Sequence, residues 1–129
     1  FMPSAVHAGG LRYHGASPLV SYFYHKNLID AVALQQKEVF EKALIFTKTE
    51  SIIPAPESAH AIATAIDEAL KCKETKEKKT ILFNLSGHGH FDMSAYDSFL
   101  SGKIENYDHP EEKIAESLKD LPKIDFKIG

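Results

Sequence analysis

The residues with the clearest chemical potential form a turn after a largely apolar segment. Ser86, Gly87 and Gly89 directly follow the run 80–85. Such a run is typical of a strand covered on both faces, and open α/β sheets bind ligands just beyond the carboxyl ends of their strands. Glycines in that place allow a backbone to approach a ligand closely. The pattern predicts a ligand site with Ser86 at its mouth, and a purely structural tight turn is the alternative.

The same turn carries a second chemical hypothesis. His88, His90 and Asp92 have the spacing with which metallo-β-lactamase-like hydrolases supply two imidazoles and a carboxylate to zinc. That arrangement needs a further histidine beside Asp92, and Met93 stands there instead. A metal hydrolase is therefore an alternative hypothesis, and histidines exposed in a turn are the favoured interpretation.

Two further side chains could serve a site or only a surface. Glu57 stands where a helix is predicted to begin, and an acid there stabilises the helix dipole whether or not it has another role. Arg12 is the one arginine of the chain, and its two-pronged donor geometry could hold a carboxylate or phosphate. A solvent-exposed arginine is the simpler interpretation.

The elements that must position these residues alternate between helical and β-favouring patterns. We expect an α/β fold, with helices packed on a small parallel or mixed sheet. The predicted helices span 18–26, which should be largely buried, 35–49, 57–71, about 91–100, and a tail helix that begins at Asp108 and Pro110 and ends near Leu121. Strands are predicted at 29–34 and 80–85, 51–56 is a short β-favouring stretch closed by two prolines, and 73–79 is a solvated linker.

Composition limits the classes of protein. A chain of 129 residues with 43% hydrophobic and 26% charged residues can bury the core of one domain. Fifteen basic against eighteen acidic residues argue against a nucleic-acid partner. No apolar run approaches a membrane span, and the single Cys72 cannot form an internal disulfide. We therefore expect a soluble, cytoplasmic protein, and the opening at Phe1 looks like the middle of a longer one.

Three motifs, taken together and in order, carry a family resemblance. HAGGLRYHG at 7–15, PAPESAHA at 54–61 and FNLSGHGHFD at 83–92 resemble the carboxyl-terminal third of tryptophan synthase β chains, most closely the second, longer type. The resemblance implies part of a pyridoxal-phosphate enzyme of fold type II. It also implies that 1–103 belongs to the catalytic fold and that 104–129 is a carboxyl-terminal helical extension.

The family joins indole to a unit made from L-serine and releases tryptophan and water, a β-replacement. By resemblance, the Ser86 hydroxyl hydrogen-bonds the pyridine nitrogen of the cofactor, and Gly87 permits its close approach. Glu57 matches an acid beside the cofactor ring, and Gly10 matches backbone near ring and substrate. A neutral hydroxyl leaves the nitrogen largely unprotonated, whereas an aspartate would favour transamination and racemisation.

The chain also departs from the commoner β chains. Those chains carry an aspartate where this sequence has Arg12, so the familiar coupling to an α chain is in doubt, and whether Arg12 meets the substrate carboxylate is open. Tyr13 and Gly15 match positions whose carbonyls help to bind a monovalent cation.

Several parts of the family's machinery have no counterpart in these 129 residues. The Schiff-base lysine, the glycine-rich loop for the cofactor phosphate and the acid that assists elimination lie upstream in the family. We expect an inactive fragment whose partners are the rest of the β chain and a second copy in a homodimer. A non-catalytic interaction domain is a third hypothesis. It predicts that Gly10, Glu57 and Ser86 lie far apart and that the first helix is fully covered.

Overall fold

The fold is helical in the computed structural model, which describes residues 6–13, 15–107 and 111–119, with only the backbone for 111, 113, 114 and 117. A short 3-10 turn at Gly9–Leu11 precedes the helices. The α-helices are α1 (Pro18–His25), α2 (Gln36–Glu50), α3 (Pro56–Thr75), α4 (Met93–Leu100) and α5 (Glu111–Leu118).

The core forms where α2 packs on α3. Val39, Phe40 and Ala43 recur at helical spacing, so they lie on one face of α2 and are buried there. The facing surface of α3 presents the small side chains of Ala59 and Ala63, which let the two helices approach closely. Tyr96 and Phe99 of α4, Leu34, Leu44, Ile53, Ala95 and Ile104 complete this core. The pair α2–α3 is therefore the scaffold on which the turns of the chain are held.

An ion-paired lysine also joins these two helices. The Lys42 ammonium lies 2.5 Å from Glu38 of its own helix and 2.6 Å from Asp67 of α3. Burial disfavours its charge, but the hydrogen bonds to Asp67 and Glu38 outweigh burial and raise the pKa of Lys42. Lys42 thus stays charged and supports the register between α2 and α3.

The predicted strands are wrong for the part of the chain that the structure describes. No strand occurs there, and the β-type pairing is one isolated antiparallel bridge between Pro54 and His88. The segment 80–85 is not buried, and Leu82 is 93% exposed. A strand forms only where a neighbour satisfies its backbone groups, and no described segment forms a β-bridge with 80–85 or 29–34. Of the expected α/β architecture, the described residues show the helices and not the sheet.

The prediction that α1 is largely buried is also wrong. Leu19, Val20, Tyr22 and Tyr24 are exposed, and Phe23 is half-buried. The helix itself forms as expected, because Pro18 occupies its first turn and the Ser17 hydroxyl accepts from the Val20 N–H at 3.3 Å. Within the described residues, α1 contacts no other helix, so no helix there covers its apolar side chains.

The remaining helices follow the sequence prediction closely. Helices α2 and α4 match their predicted spans to within two residues, and α3 continues four residues beyond Lys71 into the predicted linker. Asp108, Pro110 and Leu121 lie outside the described residues. None of the described helices is both long enough and apolar enough to cross a membrane.

Burial of Tyr96 makes the stability of the fold depend on pH in the alkaline range. Its ring is 3% exposed, and its hydroxyl donates to the Pro54 carbonyl at 2.6 Å. Burial and the nearby Asp92 charge raise the pKa of Tyr96 to about 12. Because the folded pKa lies above the ordinary value of 10.0, the neutral phenol contributes stability below about pH 10, and this contribution is lost as the pH rises toward 12.

We expect Tyr96→Phe to lower the free energy of unfolding by about 1–3 kcal/mol at neutral pH, because the Pro54 carbonyl loses its partner. The difference in unfolding free energy between the variant and wild type should narrow between about pH 10 and pH 12, because in this range the wild-type phenol ionises more readily in the unfolded than in the folded protein. Urea unfolding at several pH values measures both effects. The matched control is Tyr24→Phe, which alters an exposed ring. A stability difference for Tyr96→Phe that does not change with pH would contradict this account.

Candidate functional site

The turn that carries Ser86 is fastened to the segment leading into α3. The Ala55 N–H donates to the Gly87 carbonyl at 3.0 Å, and the Gly89 N–H donates to the Ile53 carbonyl at 2.7 Å. These two bonds surround the isolated bridge between Pro54 and His88. Pro54 and Pro56 prevent a longer ladder, because proline has no N–H to donate. The turn is therefore held at one place rather than along a strand.

Gly89 is required by this close approach. A Cβ atom at Gly89 would lie 2.5 Å from the Pro54 carbonyl oxygen and 2.9 Å from Cγ2 of Ile53. Real Cβ atoms do not approach backbone oxygens so closely, so a side chain at this position would push the turn away from the segment 53–55. At Gly87 a Cβ would lie 3.3 Å from the Cβ of Ala55, which is tight but less severe.

Two serine side chains link the turn to the beginning of α3. Ser58 is 2% exposed, and its Oγ lies 2.9 Å from the Oγ of Ser86. The Gly87 N–H donates to the same Ser58 Oγ at 2.9 Å. Ser86 itself is exposed. Its hydroxyl is therefore bonded to Ser58 of α3 on one side and is accessible to a ligand outside the turn on the other.

The adjacent residue of α3 holds the first motif. The Gly10 N–H donates to Oε1 of Glu57 at 2.7 Å, and the carboxylate packs so closely that a Cβ at Gly10 would lie 3.1 Å from Cγ of Glu57. The 3-10 turn Gly9–Leu11 packs on α3 and places Gly10 there. Glu57 in turn is placed by Pro56, which starts the helix at its first position.

The beginning of α3 is thus the place where three distant segments meet. Glu57 binds the segment around Gly10, and its neighbour Ser58 binds the turn at Ser86 and Gly87. The arrangement offers a carboxylate whose orientation is fixed and an exposed neutral hydroxyl. Such groups can bind a polar ligand, the hydroxyl as donor or acceptor and the carboxylate as acceptor. The roles given to Gly10, Glu57, Ser86 and Gly87 in ligand binding stay predictions.

The other candidate residues of the first motif are not drawn into this cluster. Arg12 and Tyr13 are exposed, and the Arg12 guanidinium makes no hydrogen bond or ion pair with any described residue. A Cβ added at Gly15 would meet nothing within 4 Å. The substrate role of Arg12 and the cation role of the Tyr13 and Gly15 carbonyls also stay predictions.

The hypothesis of a metal hydrolase finds no support in the geometry. The His88 and His90 rings lie 4.6 Å apart at a tilt of 41°, and the His90 N–H donates to Nδ1 of His88 at 3.3 Å. Asp92 precedes α4, and its carbonyl accepts from the Ala95 and Tyr96 N–H groups. In 6–13, 15–107 and 111–119 no three histidine, cysteine or acidic residues are grouped so that they could hold a metal ion.

Sequence reasoning missed the central position of Ser58. Its signal was available in the helical spacing, because Ser58 stands four residues before the buried Ile62, on the inner face of α3. A polar residue on such a face needs a partner, and that partner is the turn at Ser86 and Gly87.

Comparison with known proteins gives close relatives along most of the chain. The chain is 67% identical over 104 residues to the tryptophan synthase beta chain 2 of Aquifex aeolicus, which is 81% of this chain and 24% of that protein. It is 61% identical over 103 residues to the tryptophan synthase beta chain 2 of Methanosarcina acetivorans, and 56% identical over 107 residues to the tryptophan synthase beta chain of Thermococcus onnurineus. No family profile matches the chain. The chain spans about a quarter of the length of the curated relatives it matches.

Proposed function

This chain belongs to the tryptophan synthase β-chain family, and we propose that the protein containing it joins L-serine and indole into tryptophan and water with pyridoxal phosphate as cofactor. The resemblance predicted from the three motifs is confirmed. Two of the relatives named above carry the name beta chain 2, in agreement with the second type of chain.

The observation that carries this proposal is the meeting of the three motifs at one place. Gly10 of the first motif binds Glu57 of the second, and Ser58 of the second binds Ser86 of the third. The motifs are separated by many residues, so their contact is a property of the fold rather than of local sequence. A stand-alone interaction domain predicts these residues far apart, and the contacts argue against it.

The residues present fit the cofactor. Ser86 is exposed while its partner Ser58 is buried, so the Ser86 hydroxyl can bond a ring nitrogen that arrives from outside the turn. The missing side chain of Gly87 lets the turn pack against Ala55, where a Cβ would lie 3.3 Å from the Ala55 Cβ, and this packing holds Ser86 in place. The Glu57 carboxylate, fixed by the Gly10 N–H at 2.7 Å, would lie beside the ring. When bound, pyridoxal phosphate supplies an electron sink that stabilises negative charge at Cα of the amino acid and lets its β-hydroxyl leave.

The chemistry of this chain's own residues follows from their charge. A serine hydroxyl keeps its own proton at neutral pH, so Ser86 provides a neutral hydrogen bond rather than a negative charge beside the ring nitrogen. Under the proposal, this neutrality disfavours transamination and racemisation and favours replacement at the β carbon. Glu57 accepts a hydrogen bond from the Gly10 backbone, which orients the carboxylate before any ligand binds.

Other parts of the protein complete the proposal. The lysine that binds the cofactor covalently and the loop for its phosphate belong to the rest of the β chain. The uncovered apolar side chains of α1 support cover by the rest of the β chain or by a second copy in a homodimer, since large exposed apolar patches mark surfaces that bind other protein. We further propose that 1–103 belongs to the catalytic fold and 104–129 to an extension, and that the Tyr13 and Gly15 carbonyls bind a monovalent cation. Because Arg12 stands where the commoner β chains carry an aspartate, we also propose that the familiar coupling to an α chain does not carry over.

The direct test is expression of the full-length protein. We expect the purified protein to show the visible absorbance of bound pyridoxal phosphate and to form tryptophan from L-serine and indole. Metal analysis of the same sample separates the hydrolase hypothesis, which requires a bound cation. A protein without cofactor absorbance, or one that binds the cofactor and forms no tryptophan, would refute the proposed function.

A further inference from the structure

A buried serine and an exposed serine form a short hydrogen-bonded relay at the start of α3. Ser58 accepts the Gly87 N–H at 2.9 Å and lies at the same distance, 2.9 Å, from Oγ of Ser86. A hydroxyl has one proton to donate and two lone pairs to accept. With Gly87 on one lone pair, Ser58 keeps its proton and one lone pair for other partners.

The direction of the bond between the two serines follows from burial. In the described part of the chain, Ser86 Oγ is the one acceptor within reach of the Ser58 proton. An unpaired donor at a position that is 2% exposed would be strongly unfavourable. Ser86 is exposed and can give its own proton to water or to a ligand. Ser58 is therefore the donor and Ser86 the acceptor.

This direction affects what Ser86 offers to a ligand. With one lone pair taken by the Ser58 proton, Ser86 keeps its own proton and a second lone pair. A hydroxyl that accepts a hydrogen bond is polarised and becomes a stronger donor, so the bond from Ser58 strengthens the bond that Ser86 can give to an unprotonated pyridine nitrogen, which is an acceptor. The relay therefore favours the unprotonated ring.

We propose that Ser58 is a positioning residue that orients the Ser86 hydroxyl as a hydrogen-bond donor toward the ring nitrogen of pyridoxal phosphate. This inference rests on the proposed function. Ser58 acts twice: its oxygen accepts the Gly87 N–H, and its proton occupies one lone pair of the Ser86 oxygen. Ser58 is 2% exposed, so it acts on a ligand through Ser86.

The experiment uses the full-length protein reconstituted with pyridoxal phosphate labelled with nitrogen-15 in the ring. The measurements are the chemical shift of the ring nitrogen as a function of pH and the dissociation constant of the cofactor. They are made on wild type, Ser58→Ala, Ser86→Ala and the double variant. We expect Ser58→Ala to move the ring nitrogen toward its protonated form and to weaken cofactor binding about 3- to 10-fold.

The double variant separates positioning from a general structural role. If Ser58 acts through Ser86, Ser58→Ala causes no further change in ring protonation when Ser86 is already alanine. The matched control is Thr64→Val, which removes another hydrogen-bonded hydroxyl from α3. The Thr64 hydroxyl donates to the His60 carbonyl at 3.1 Å. Its loss should leave the ring-nitrogen signal unchanged.

The outcomes distinguish this inference from the proposed function. A wild-type protein that does not bind the cofactor refutes the proposed function. If the wild-type protein binds the cofactor, two results overturn the positioning role alone. One is a ring-nitrogen signal that Ser58→Ala does not change. The other is an effect of Ser58→Ala on that signal that is equal with Ser86 and with Ala at position 86. If Ser58→Ala does not fold, Ser58→Cys, which keeps the size but is a weaker donor, takes its place in the same cycle. A wild-type ring signal in Ser58→Cys would then overturn the inference.

Discussion

Replacing Gly89 with alanine is expected to lower the free energy of unfolding by about 3 kcal/mol and to detach the turn that carries Ser86. The new Cβ would lie 2.5 Å from the Pro54 oxygen and 3.1 Å from the Tyr96 ring. Relief of that contact moves the turn away and breaks the 2.7 Å bond from the Gly89 N–H to the Ile53 carbonyl. Chemical denaturation measures the stability, and cofactor titration measures the displacement of Ser86.

Gly9→Ala is the matched control for this prediction. A Cβ at Gly9 would meet only a side-chain nitrogen of Arg12, at 3.8 Å, which is an ordinary contact. Its effect on stability should stay within about 1 kcal/mol. A Gly89→Ala protein as stable as Gly9→Ala would show that the turn is not held against 53–55 as described.

Replacing Ser86 with aspartate is expected to change the outcome of the reaction rather than the fold. The carboxylate can still accept the Ser58 proton, so the turn keeps its anchor. A negative charge beside the ring nitrogen holds a proton there, and this strengthens the electron sink. The ratio of tryptophan formation to racemisation and transamination should fall about 100-fold, equivalent to about 3 kcal/mol between competing barriers. Product analysis from L-serine and indole measures this ratio.

Ser86→Thr provides the comparison, because it keeps a neutral hydroxyl at the same position. Its ratio of products should lie within about 10-fold of wild type. A Ser86→Asp enzyme whose products are partitioned like those of wild type would contradict the role given to the hydroxyl.

The helices that pack on each other were predictable from sequence, and the uncovered segments were not. Val39, Phe40 and Ala43 of α2 repeat at helical spacing and find their partner in α3, so pattern and structure agree. The run 80–85 and helix α1 have equally apolar patterns, yet Leu82 and Tyr22 are exposed. An apolar pattern indicates that a segment needs cover, but it does not say which part of a protein supplies it. In both cases the sequence predicts a buried segment and the structure shows an exposed one, as expected where the chain spans 24% of a relative.

The residues of the candidate site were predictable from the sequence, but the hydrogen bonds that connect them were not. The three motifs named Gly10, Glu57 and Ser86 through resemblance, and the fold brings their segments together at α3. In the sequence, the connecting residue Ser58 is marked only by its helical spacing from Ile62. Its importance comes from burial and from one hydrogen-bond direction, which depend on the packing of the turn at Gly87 and Gly89 against 53–58.

The most direct measurement is the distance between Oγ of Ser86 and the pyridine nitrogen in a crystal structure of the full-length protein with pyridoxal phosphate bound. The account predicts a hydrogen bond of about 2.7–3.2 Å, with Ser58 still bonded to the other side of the Ser86 oxygen. A cofactor bound with its nitrogen more than about 4 Å from Ser86, or a Ser86 hydroxyl turned into packed hydrocarbon, would contradict it.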